Sequence, residues 1–487
     1  MLFNSPVFFI FFVVVFASYW TLRRYRVAQN ALLLAASYLF YGKWSLFFLG
    51  LLIASTIVDF ACGLAIDATA ERRKKRVVLL ASLALNLGFL GTFKYAGFFI
   101  AQFADLLAWL GFEANRRVLD IVLPVGISFY TFQSMGYVID VYRGKQRAAC
   151  NPLEYALYVS FFPQLMAGPI ERAGHMLPQY QRPRLWNTAS FESGLQLMAW
   201  GLFKKVVIAD SLAPYVNDVY DRPSVYSSVA LVTATVFFAF QIYCDFSGYT
   251  DMARGAARTL GFELMKNFNH PYFSRSPVEF WRRWHISLSQ WFQDYLYYPL
   301  AMHYMRKGGW GSKYKAHIIA MVLIGFWHGA NWTFIVFGFY WGCVIALYLY
   351  SAEKRMARAR SARPKRLRVQ TSEVLSVASM FIVVCVGWVF FRSTSLTEAW
   401  RVLSGMFVSH GEASALSPDL PAAALLWTLV AGLWIAELAA QRRPGIVKLI
   451  SDTPLRYAVR YALLASSLFA YIGVQHAVQH PFIYFQF

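Results

Sequence analysis

"WTFIVFGFYWGCVIALYLYSAEKRMARARSARPKRLR", residues 332–368, places an apolar run (332–351) directly before a segment with eight basic residues and one acid (353–368). A helix of about 20 apolar residues rises about 30 Å, the thickness of a bilayer's hydrocarbon core. Lys and Arg clustered at one end of such a run mark a cytoplasmic loop. This span therefore runs inward, and what precedes it lies at the outward end or at membrane depth.

The rest of the chain follows the same plan. Of 487 residues, 58% are hydrophobic and 15% charged, with a mean hydropathy of +0.42; soluble domains carry about 25% charged residues. Apolar runs recur near 7–22, 44–66, 77–93, 95–111, 121–139, 153–168, 229–246, 332–351, 373–391, 422–440 and 457–475. Shorter ones at 30–41, 192–209 and 316–327 suit re-entrant or interfacial helices. The pattern predicts an all-α polytopic membrane protein of about 11–13 transmembrane or re-entrant helices. One transmembrane domain is expected over 1–487: N-terminal spans (1–111), a core (112–351), and C-terminal spans with an aromatic tail (352–487).

The net charge of +21 is distributed in short clusters: Arg23, Arg24 and Arg26; Arg72 to Arg76; Lys204 and Lys205; Arg282 and Arg283; Lys354 to Arg368. Such loops face anionic membrane lipids, and no basic soluble domain remains to bind nucleic acid. The five cysteines lack metal or CxxC spacing, which predicts neither metal nor disulfide. The first run has basic residues after it and none before, so it is a retained span with its N-terminus outside. Counting spans after 353–368 puts the tail, "HPFIYFQF" (480–487), outside as well.

Chemistry is sought where charge is costly. "LIGFWHGANWTF" (323–334) sets His328 between Trp327 and Trp332, and an ionisable group at membrane depth marks a site or pathway by default. Gly329 and Ala330 are expected to leave room for a ligand, with Asn331 as donor or acceptor. A structural histidine, bonded to carbonyls, is the competing reading. "SPVEFWRRWHISLSQWFQDYLYYPL" (276–300) has aromatics at helical spacing, as in an amphipathic interfacial helix; that explains Arg282 and Arg283 but not His285. In "QIYCDFSGYTDMARG" (241–255), Asp245 and Asp251 are expected to cap a helix or pair with Arg254. "FFPQLMAGPIER" (161–172) predicts a broken helix at Pro163, Gly168 and Pro169. No P-loop, GxGxxG, HExxH or GxSxG occurs, which removes ATP-driven transport and metalloprotease chemistry.

Taken in order, "LPVGISFYTFQ" (123–133), "FFPQLMAGPIER", "GLFKKVVIAD" (201–210), "QIYCDFSGYTDMARG", "FWRRWHISLSQWFQDYLYYPL", "FWHGANWTF" and "VGWVFFRS" (386–393) resemble the membrane-bound O-acyltransferase (MBOAT) family. Within it they look most like the bacterial alginate O-acetyltransferase (AlgI-like) branch. The chain departs from that pattern at Gln293, where relatives carry arginine, and at Ala301 and Met302, where they carry a Gly-Gly turn.

The resemblance implies helices around a passage, in a bacterial inner membrane. It implies acetyl transfer from a cytoplasmic thioester, acetyl-CoA, toward hydroxyls of an exported polysaccharide, with no bound cofactor. A periplasmic SGNH-hydrolase-like partner and the export machinery complete the pathway. His328 and His285 are the implied catalytic histidines, with His328 as general base. Trp327 and Asn331 are candidates to position or stabilise the oxyanion, Arg282 and Arg283 to hold CoA phosphates, and Tyr484 to relay the acyl group. A proton-coupled transporter or flippase, and a structural subunit of an export complex, are the rival classes.

Overall fold

The computed structural model describes residues 1, 3–112, 124–166, 168–308, 311–361, 370–407, 420–442 and 482–483. Among these every extended element is helical. Six helical runs are long and apolar enough to cross a membrane: Leu46–Ala68, Arg72–Trp109, Ser228–Thr259, Trp332–Met356, Glu373–Arg392 and Ala423–Arg442. The protein is an all-α, multi-pass membrane protein. The expected span at 457–475 lies outside the described residues.

The sequence suggested two spans at 77–93 and 95–111. The chain instead forms one run of 38 residues, Arg72–Trp109, with a π-helical turn at Gly91–Tyr95 in place of a reversal. At 1.5 Å per residue it is roughly 57 Å long, well beyond the hydrocarbon core. Several other apolar runs are shorter helices, such as Pro6–Thr21, Ile127–Tyr142 and Ser312–His328.

The described chain divides into two compact units, Met1–Met198 with Tyr249–Met265, and Ala199–Gly248 with Lys266–Phe487. In the first, Ser5 caps the opening helix through Phe8 N–H (3.2 Å). Asp59, fully buried within a span, is satisfied by Ser82 Oγ (2.6 Å) and Asn86 Nδ2 (3.0 Å), which stitches Leu46–Ala68 to Arg72–Leu90. The predicted break in "FFPQLMAGPIER" occurs at Phe161 (φ −51°, ψ 113°), between Pro152–Ser160 and Phe162–Leu165. Asp251 pairs with Arg254 at 3.2 Å, as the sequence suggested.

In the second unit, Ser312–His328 and Trp332–Ser361 form a tight antiparallel hairpin. Glycines set the distance between them. A Cβ on Gly325 would strike Phe334 O, one on Gly338 would strike Met321 O, and one on Gly342 would come within 2.7 Å of Ile318 Cα. Gly338 and Gly342 are four apart, the small-residue spacing that lets membrane helices touch backbone to backbone. Aromatic rings pack around this hairpin: Phe280 lies parallel on Trp341 (5.1 Å), Phe337 on Trp388 (5.7 Å), and Trp284 against Trp388 (4.8 Å).

Gly338→Ala is therefore expected to destabilise by about 1–3 kcal/mol through overpacking, despite alanine's higher helix propensity. Gly432→Ala, at a position where a Cβ meets nothing within 4 Å, should be neutral or stabilising. Thermal melts of the two detergent-solubilised variants against wild type make the comparison.

Candidate active site

His285 occupies a break between two short helices. Pro277–Arg283 ends before it and Ile286–Phe292 begins after it. Its backbone is left-handed (φ 41°, ψ 57°), one of two non-glycine residues with positive φ among those described, the other being His270. Residues held in this region carry strain and concentrate at functional sites. The single amphipathic helix expected over 276–300 is thus corrected. In a continuous helix, His285 would share a face with Arg282, three residues away; the kink leaves Arg282 exposed and buries His285 completely.

The break also fixes the imidazole's tautomer. Asn267 Oδ1 accepts Ser287 N–H (3.1 Å) and Ser287 Oγ–H (3.0 Å), and lies 3.2 Å from His285 Nδ1. A backbone N–H only donates, so the atom facing it is the amide oxygen. Nδ1 therefore carries the hydrogen, and Nε2 is the acceptor nitrogen. His285 lies outside the candidate spans, and burial pushes its pKa down to about 3, so the ring is neutral.

Trp327 stands between the two histidines. Its ring centre is 6.2 Å from that of His285 and 4.9 Å from that of His328. Trp327 and His328 are buried (4% exposed each) at the end of the hairpin's first helix. The His328 ring meets the edges of Phe391 (5.0 Å) and Phe337 (6.1 Å). Gly329 does not leave space for a ligand, as the sequence suggested: the Phe334 ring fills the place of its missing Cβ. Asn331 caps the returning helix, accepting Thr333 N–H (3.0 Å) and donating to Thr394 O (2.9 Å).

Beside this turn is a cavity of about 300 Å³, lined by Lys205, Asp210, Gln241, Asp245, Asn331 and Arg392 among others. Neither histidine lines it; Asn331 and Phe334 join it to the His328 turn. Lys204 and Lys205, assigned from sequence to a cytoplasmic charge cluster, are buried. They lie on a π-helical turn, Lys204–Ala209, that directs both side chains inward. Lys205 Nζ lies 2.7 Å from Asp210 Oδ1 and 2.7 Å from Asp245 Oδ1, and Lys204 Nζ donates to Ser247 Oγ (2.8 Å). Asp245 is therefore an ion-pair partner and not a helix cap. The clue available in the sequence was that "GLFKKVVIAD" sets its lysines in an otherwise apolar run.

Arg283 is bound to Glu279 (2.6 Å), and Gln293 donates to Tyr298 Oη (2.7 Å). Tyr484 lies outside the described residues. Its neighbours Phe482 and Ile483 are buried (2% and 6% exposed). Among the described residues no cluster of His, Cys, Asp or Glu is arranged to hold a metal.

Buried imidazoles within a multi-pass helical protein, near a polar cavity, form a candidate site for proton transfer. Residues 146–397 match the family model described as "MBOAT, membrane-bound O-acyltransferase family". The chain is 39% identical to a probable alginate O-acetylase, AlgI, of Azotobacter vinelandii, over 92% of this chain and 88% of that one. It is 35% identical to a peptidoglycan O-acetyltransferase of Helicobacter pylori (84% and 80%), and 28% identical to a teichoic acid D-alanyltransferase of Streptococcus thermophilus (57% and 69%). The chain belongs to the membrane-bound O-acyltransferase family and is an O-acyltransferase.

The His285 environment gives a pH prediction. An unfolded imidazole titrates near 6.5, whereas His285 is held at about 3. Between these values the unfolded chain binds a proton that the folded chain refuses, so stability falls as pH drops below about 6.5, by up to about 1.4 kcal/mol per pH unit. His285→Asn, which tolerates the left-handed backbone, should show a shallower fall in melting temperature between about pH 7.5 and about pH 5.5. Equal slopes for the two proteins would refute the assignment.

Proposed function

We propose that this protein transfers an acetyl group from acetyl-CoA, on the cytoplasmic side, toward hydroxyls of an exported polysaccharide, through a periplasmic SGNH-type partner. The carrying observation is the buried array His285–Trp327–His328, with ring centres 6.2 and 4.9 Å apart. The alginate and peptidoglycan O-acetylating relatives support acetyl as the group and a glycan as the destination.

In this reading the enzyme occupies the inner membrane with its tail periplasmic, and residues 1–487 act as one domain. His328 takes the acceptor hydroxyl's proton as its oxygen attacks the thioester carbonyl; the C–S bond breaks and the thiolate recovers the proton. An imidazole base in this role contributes about 10²–10⁴ in rate. His285, with Nε2 as its acceptor nitrogen, orients the donor from the cytoplasmic mouth. Trp327 Nε1–H is aimed at the developing oxyanion, and Asn331 holds the turn that positions His328. Exposed Arg282 meets the CoA phosphates, while Arg283 contributes less because Glu279 already neutralises it. Tyr484 accepts the acetyl group and passes it to the partner.

Mass analysis of the exported polymer tests this directly. His328→Ala should lower acetylation by about 10²–10⁴ with the protein still folded, and His285→Ala should lower it as well. Tyr484→Phe should abolish polymer acetylation, together with the acetyl-CoA consumption coupled to it, while the protein stays folded. Full acetylation in His328→Ala sinks the reading, and full acetylation in Tyr484→Phe sinks the relay.

A further inference from the structure

The buried carboxylate of Asp245 has two faces, and each meets something different. Oδ1 faces Lys205 Nζ at 2.7 Å, while Oδ2 accepts the backbone N–H of Ile483 at 2.8 Å, across 238 positions of sequence. Phe482, next to it, packs edge-on against Phe246 at 5.6 Å, and Phe246 also meets the His285 ring at 4.6 Å. Ile483 is itself part of the cavity wall, with Asp210, Gln241 and Asn331.

We infer that Asp245 is a positioning residue which docks the C-terminal segment, through Ile483, into the polar cavity beside the His328 turn. The argument rests on satisfaction of charge. Two carboxylates share one ammonium here, and a carboxylate buried in an apolar surround needs further donors. The Ile483 N–H supplies one, so at this position the segment is bound through its backbone. Phe482 adds a ring against Phe246. Lys205 pairs with Asp245, and Asp210 holds Lys205 in place, so three side chains form one seat for the tail.

The role in catalysis rests on the acetyl-transfer reading above; the docking itself does not. The test separates them. Amide hydrogen exchange is measured on the full-length protein in detergent. Ile483 should exchange slowly in wild type, and Asp245→Leu should remove about 10- to 100-fold of that protection, the worth of a hydrogen bond to a charged group. Ile483→Pro deletes the donor but leaves the Lys205–Asp210–Asp245 cluster untouched, so it remains informative if Asp245→Leu fails to fold. It should increase the exchange of Phe482, with the protein still folded. An unprotected Ile483 in wild type, or unchanged protection in Asp245→Leu or of Phe482 in Ile483→Pro, overturns the docking. Tail release in Ile483→Pro with polymer acetylation intact would leave the seat standing but overturn its positioning role. Loss of acetylation in Ile483→Pro with acetyl-CoA still bound by the folded protein is the result expected for a residue that positions the tail and not the donor.

Discussion

The backbone contact between Ser312–His328 and Trp332–Ser361 sets the position of much of the candidate active site. With glycine at 325, 338 and 342 the helices meet without intervening side chains, and dispersion between close-packed backbones replaces the hydrophobic drive that a lipid surround withholds. Because the helices touch, the link between them needs only Gly329, Ala330 and Asn331. That short turn fixes His328 at the last position of one helix and Asn331 as the cap of the next. An imidazole at a helix end, walled by Phe334, Phe337 and Phe391, has few rotamers open to it. Preorganisation of this kind is what a general base requires.

The second constraint is electrostatic. His285 is neutral, and its donor nitrogen is bound to Asn267, which also holds Ser287. The charged groups nearby are gathered elsewhere, in the Lys205–Asp210–Asp245 cluster along the cavity. The neutral His285 ring is thus kept apart from the compact ion cluster. A cation against either ring would stabilise the neutral imidazole and weaken it as a base.

The membrane class and the helical fold were legible in the sequence, since both rest on composition, and the structure buries both histidines that the sequence singled out. His285 stood out because an amphipathic helix had no use for it, and the structure explains why: the helix breaks there. What pattern alone did not reveal depends on backbone irregularity. A hydropathy window sees 77–93 and 95–111 as two spans because Lys94 interrupts them, yet the π turn at Gly91–Tyr95 carries the helix through. Lys204 and Lys205 look like a surface pair when counted as charge, but another π turn brings both inside. Asp245 lies in a span, where its partners come from residues 40 positions earlier and 238 later, a pairing that local spacing does not encode.

The family match covers 146–397, which contains His285, Trp327, His328, Lys205, Asp210, Asp245 and Arg392. Phe482 and Ile483 lie beyond it, yet they touch Asp245 and Phe246 within it. A segment held through a backbone N–H imposes little on its own sequence, because every residue but proline offers that donor. Such a seat is therefore invisible to a comparison of residue types at the tail and visible only from the receiving side, as a charged aspartate in an apolar span whose lysine partner accounts for one of its two oxygens. The costly residue is Asp245, just as it was His328 in the turn: in both places a polar group is buried where burial is expensive.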